Sequence, residues 1–195
     1  MAGVASPALD RALKDAACGR PLPEPVADVL IALNAPPRLA AHLRLVHDTA
    51  VELTAAIAKQ FPGVPFDREA VLFGAATHDI GKCFYPNELS GPGSAHEMAG
   101  YELLLSHGYA EHLARFARTH ASWAGPGIEL EDLLVSLADK VWKGKRAEDL
   151  EQLAVSRLAG DRTPWEAFMA LDDLLIPIAS KADKRLAAQG GHGLT

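Results

Sequence analysis

The stretch Asp67–Lys82, DREAVLFGAATHDIGK, sets how the rest of this chain is read. From Ala70 to Ala76 every residue is apolar or glycine, and then a histidine and an aspartate stand side by side. Asp67 is the expected N-cap of a helix over about Arg68–Asp79. Gly81 is its expected left-handed C-terminal exit. At helical spacing His78 shares a face with Val71, Gly74 and Ala75, and Asp79 shares one with Leu72, Ala75 and Ala76. Two ionisable groups therefore end an apolar helix on faces that should turn inward.

The pattern repeats on either side. A long helix is predicted over Arg38–Gln60, where His42 lines up with Leu39, Val46, Ala50 and Leu53. Further helices are predicted at 95–107, 109–122 and 129–143. On them His96 joins Ala99, Gly100 and Leu103; His120 joins Leu113, Phe116 and Ala117; Asp139 joins Val135, Ser136 and Trp142. Short helices at Pro7–Ala17 and Val26–Leu33 precede this block. After a break at Gly144, helix resumes to about Leu158. Asp161–Pro164 opens a last helix, with a kink expected at Pro177 and a loose tail at Gln189–Thr195. Cys83–Ser94 (CFYPNELSGPGS) is rich in loop formers and could cover a site as a lid. No period-two strand pattern occurs, so the expected fold is a single all-α domain.

Composition agrees with a globule and excludes several classes. The chain has 195 residues, 49% apolar and 23% charged, with mean hydropathy +0.03. Neither a disordered tail nor a membrane-embedded protein has that balance. A net charge of -6 disfavours broad binding to nucleic acid or to an anionic membrane. The opening Met1–Lys14 lacks a basic, apolar leader, and no stretch approaches the ~20 apolar residues of a membrane span. The two cysteines, Cys18 and Cys83, are far apart in sequence; a reducing, cytoplasmic setting is expected.

Six buried ionisable groups cost several kcal/mol each unless paired, and basic partners are scarce on those faces. A divalent cation resolves this, because imidazole and carboxylate become ligands. Four histidines and two aspartates are too many for one tetrahedral zinc with an open position; they suit two metals with a bridging carboxylate. His42 leads HLRLV, His78 and Asp79 sit in THDIGK, His96 opens HEMAG, His120 sits in THASW and Asp139 in LADK. In these motifs the chain resembles the HD-domain superfamily of metal-dependent phosphohydrolases, in its six-ligand H…HD…H…H…D form, over about Pro37–Arg146. The resemblance implies an all-α fold with metals between helices. It implies that His42, His78, Asp79 and Asp139 hold one metal, and that His96, His120 and a bridging Asp79 hold the second. It implies that Lys82 points toward the site and holds a phosphoryl oxygen. The expected organisation is an N-terminal helical extension (1–36), an HD-domain core (37–146) and C-terminal helices packed on it (147–195).

The expected activity is hydrolysis of a nucleotide or similar small phosphate ester by a hydroxide bridging the metals, with Asp79 and Lys82 as the catalytic residues. Histidine-rich coordination favours transition metals over magnesium; the resemblance favours iron or manganese, with cobalt, nickel or zinc as options. Two cations, two aspartates and a hydroxide leave about one positive charge, which attracts an anion. Two rivals stand beside this reading. One is a mixed-valent di-iron oxygenase, which uses the same ligand set; the other is a non-catalytic nucleotide-binding regulatory module. Outside the set, His47 is expected to turn away, His107 to end a helix, His112 to lie beside a charged face and His192 to lie in the tail. Lys140, Lys143, Lys145 and Arg146 are read as a solvated helix end, with contact of one or two of them to the substrate's outer phosphates as the alternative. Trp165, Phe168, Met169, Leu175 and Ile178 are read as core or homodimer contact.

Overall fold

A computed structural model describes residues 4–194 of the chain. Met1–Gly3, part of the opening stretch considered above, and Thr195, the end of the tail, lie outside the described residues. All regular structure among the described residues is helical: α1 (Pro7–Lys14), α2 (Glu24–Ala32), α3 (Pro37–Gln60), α4 (Arg68–Thr77), α5 (Ala95–Ser106), α6 (Glu111–Ala114), α7 (Phe116–Thr119), α8 (Leu130–Val141), α9 (Glu148–Leu158), α10 (Pro164–Ala179) and α11 (Ala182–Gly190). Short 3₁₀ turns occupy Ala16–Cys18, Ile80–Cys83 and Pro86–Leu89.

Local chemistry explains where these helices start. Asp67 caps α4, its carboxylate accepting from the Ala70 amide at 3.0 Å, as its position before an apolar run predicts. Glu129 and Asp132 form a reciprocal box at the start of α8, and Thr163 with Glu166 forms another on α10. Proline opens α1, α3 and α10, where its missing N–H costs nothing. Pro177 sits in the last turn of α10, and the chain turns at Ser180 and Lys181 before α11 begins. The span expected as one helix at 109–122 runs as α6 and α7, which meet at Arg115.

Helix α3 is the axis of the fold and packs against α1, α4, α8, α10 and α11. Two apolar clusters form around it. One joins Leu53, Ile57, Val71, Leu134 and Leu171; the other joins Leu9, Leu30, Leu39, Leu43 and Leu104. Successive residues of α3, α4 and α7 fall in different clusters: Ala40 and Ala41, Ala75 and Ala76, Phe116 and Ala117. These helices lie on the seam between the clusters, and their polar residues are held there. On α10, Leu175 and Ile178 enter the core while Trp165 and Met169 remain exposed.

Two expectations are corrected. Gly81 is not left-handed; the left-handed glycines lie elsewhere. It is needed for contact, since a Cβ there would stand 2.0 Å from the His96 carbonyl oxygen and 2.6 Å from the Gly100 amide. Gly100 reciprocates: its Cβ would meet Gly81 N and Ala117 Cβ at 3.1 Å each. Backbone thus lies on backbone where the turn after Asp79 crosses α5. The tail is also not loose through its described residues. Helix α11 runs to Gly190, His192 is buried, and the Gly193 carbonyl accepts from the Arg38 amide at 2.9 Å.

Candidate metal centre

His42 lies in the second turn of α3, His78 at the end of α4 with Asp79 beside it, and His96 in the first turn of α5. His120 ends α7 and Asp139 sits in the last turn of α8. Each is at most 5% exposed. The structure brings all six together. They form two groups of close donor atoms: His42, His78 and Asp139, and then Asp79, His96 and His120.

Asp79 stands between the groups. Its Oδ2 lies 3.0 Å from His42 Nε2 and 3.6 Å from His78 Nε2. Its Oδ1 lies 3.1 Å from His96 Nε2 and 3.5 Å from His120 Nε2. One carboxylate therefore presents an oxygen to each pair of imidazoles. Asp139 Oδ1 closes the first group at 3.7 Å from His78 Nε2 and 4.0 Å from His42 Nε2.

The backbone sets which ring nitrogen is bare. Carbonyl oxygens only accept, so His78 Nδ1–H donates to Ala75 O at 3.0 Å and His120 Nδ1–H donates to Ala117 O at 3.1 Å. Both rings then turn an unprotonated Nε2 inward, the tautomer a metal ligand requires. His96 Nδ1 is held by Glu88 Oε2 at 2.5 Å. Glu88 Oε2 also accepts from the His96 amide, and Oε1 from the Ala95 amide, each at 3.2 Å. Sequence reasoning missed Glu88. It sits on the Pro86–Leu89 turn inside the expected lid, where no periodicity marks a residue's direction.

The donor set fits divalent metals. Asp79 Oδ1 and His96 Nε2 are buried without a hydrogen-bond partner although they lie 3.1 Å apart. Buried polar atoms left in that state are costly, and a shared cation satisfies both. Burial pushes the Asp79 carboxyl up, but the surrounding imidazoles of His78, His120, His42 and His96 hold it well below the ordinary carboxylate range. Burial likewise raises Asp139, and the nearby His78 imidazole with the charges of Lys143 and Lys140 brings it well below. Burial lowers His96, yet Asp79 and Glu88 leave it raised overall.

A cavity of about 370 Å³ opens over this centre, with Leu89, Trp142, Leu186 and Gln189 in its wall. Three ammonium groups reach its polar floor. Lys82 Nζ donates to Asp79 Oδ2 at 2.6 Å; Lys140 and Lys143 donate to Asp139 at 2.8 and 3.2 Å. Of the two readings of the basic cluster at 140–146, Lys140 and Lys143 fit the one in which some members reach the site, since both line the cavity. Lys145 and Arg146 stay exposed, as a solvated helix end predicts, although Arg146 also makes a double contact to buried Glu151 and one to Asp172, all at 2.7 Å. His47 is buried but belongs to neither donor group, His107 ends α5, and His112 is exposed. His192 is buried at a distant cluster with Asp15 and Cys18.

The family model described as HD domain matches residues 39–142, a span that holds all six residues and Lys82. Comparison with curated proteins and with solved structures returns no match.

Proposed function

The chain belongs to the HD-domain family, and from that premise we propose that it is a phosphohydrolase acting on a nucleotide or similar small phosphate ester. The family points to metal-dependent, hydrolase-type chemistry. The observation that carries the finer reading is the position of Asp79, whose two oxygens face different histidine pairs beneath three lysine ammonium groups.

His42, His78, Asp139 and Asp79 Oδ2 would hold one divalent metal; His96, His120 and Asp79 Oδ1 would hold the other. Iron or manganese suits this histidine-rich set, with cobalt, nickel and zinc as further options. Two such ions would acidify water and polarise a phosphoryl oxygen.

The chain's own residues supply the rest. Lys82, Lys140 and Lys143 are tethered to the two aspartates without the ion. With the carboxylates engaged by metal, their N–H groups are free to donate to phosphoryl oxygens, and they are placed where negative charge accumulates. The acidic surface (net charge -6) and the basic floor of the cavity are then compatible, because only the floor meets the anion. Trp142 stacks edge-on against His42 at 5.0 Å and with Leu89 and Leu186 gives the cavity an apolar wall. That wall suits the uncharged part of an ester.

The test is phosphate release from a panel of nucleotides and dinucleotides, with protein loaded anaerobically with Fe(II) or with Mn(II). Metal-dependent turnover of one panel member is expected. Substrate-dependent O₂ consumption without phosphate would replace this reading with the oxygenase one. Tight nucleotide binding with no turnover under any metal would replace it with a binding module.

A further inference from the structure

Outside the HD centre, three other donor side chains meet. Asp15 caps the Ala16–Cys18 turn, Cys18 ends that turn, and His192 follows α11. Cys18 is fully buried and His192 is 5% exposed. His192 Nε2 lies 3.7 Å from Cys18 Sγ and 3.0 Å from Asp15 Oδ2. The three donor atoms lie within 4.8 Å of one another.

A single imidazole nitrogen faces both a sulfur and a carboxylate oxygen, but one N–H can make only one good hydrogen bond. A tetrahedral ion accounts for the convergence. With Zn–S near 2.3 Å and Zn–N and Zn–O near 2.1 Å, tetrahedral edges are about 3.6 Å for N···S and about 3.4 Å for N···O. The observed N···S separation of 3.7 Å matches its edge, and the N···O separation of 3.0 Å would open by about 0.4 Å to admit the ion. Arg44 does not occupy the donors. Its guanidinium is spent on the carbonyl oxygens of Ala12, Asp15, Gly19 and Arg20, which fixes the turn that presents Asp15 and Cys18.

We propose that Asp15, Cys18 and His192 form a further metal site, a three-ligand tetrahedral zinc site, that clasps the N-terminal segment to the C-terminal one. It stands independently of the phosphohydrolase reading. Burial and the charge of Asp15 raise the Cys18 thiol. A bound dication takes the thiolate as ligand and the proton passes to solvent. Asp15 is only partly buried, so the fourth position is left to water on that side. The clasp closes a loop between residues 174 positions apart and anchors α11, which supplies Leu186 and Gln189 to the HD cavity.

Co(II) titration of the full-length chain, in an Asp79→Asn/Asp139→Asn background that disables the HD centre, tests this. A near-ultraviolet sulfur-to-cobalt charge-transfer band should grow to one equivalent and be displaced by Zn(II). Cys18→Ser and His192→Ala should abolish the band, and Cys83→Ser should leave it. Zn(II) at a hundredfold excess over its Kd should raise Tm by about 5–10 °C, a shift lost in Cys18→Ser. If neither the natural chain nor the disabled background shows the band, or if it vanishes with Cys83→Ser alone, the site does not exist.

Discussion

The two halves of the HD centre are built differently. His42 and Asp139 stand on the core helices α3 and α8, the second opened by a capping box. His78 is fixed by its own helix through Ala75 O. On the other side, His96 begins α5 and takes its orientation from Glu88 on a short loop turn, while His120 ends a four-residue helix. The first half inherits its geometry from the hydrophobic core. The second depends on a loop and on the close crossing of Gly81 and Gly100. On the proposed two-metal reading, the difference predicts that the first half holds its metal more persistently and that the second is the easier to unload.

Asp79 joins the halves, so removing its charge should have the largest effect. Asp79→Asn is expected to lower hydrolysis by about 10³-fold or more and to deplete both metals. Elemental analysis showing two full equivalents in that variant would break the picture of a shared carboxylate. His96→Ala should come next, with about one metal equivalent lost and a loss of about 10²-fold in turnover. If His42→Ala instead spared the first metal and His96→Ala removed it, the halves would be misassigned. Glu88→Gln keeps the loop's shape but weakens the carboxylate behind His96. It should reduce affinity at the second half about 10–100-fold and leave the first unchanged, seen as one shifted step in a Mn(II) titration. His47→Ala should have the smallest functional effect. It removes a buried ring outside both halves, at a cost of about 1–2 kcal/mol in stability, with turnover per folded molecule unaltered; thermal melts beside phosphate-release assays check this.

The inward faces of the candidate residues were legible because a histidine or aspartate at helical spacing among apolar residues turns inward with them. His42, His78, His96, His120 and Asp139 all lie on helices whose period announces the inward side. The all-α fold followed from the same period. Glu88 was not legible: loop residues carry no phase, and its partner is eight positions away. For Lys140 and Lys143 both a solvated helix end and a contact with substrate phosphates stayed open, because the sequence places them beside Asp139 but does not say which side chains turn into the cavity. His192 was hidden for a different reason. Its neighbours Asp15 and Cys18 lie at the other end of the chain, and only tertiary packing brings them together. Gly81 was recognised as necessary for the wrong cause: close crossing and left-handed backbone select the same residue type.

That crossing gives the molecule an adjustable spacing. A methyl group at position 81 would meet the carbonyl of His96 and act as a wedge, prising α5 away from the turn that carries Asp79. Of the four histidines only His96 rides on α5. Its distance from Asp79 would widen while His42 and His78 kept their place, and a graded series of small residues there would serve as a dial for matching the centre to ions of different radius.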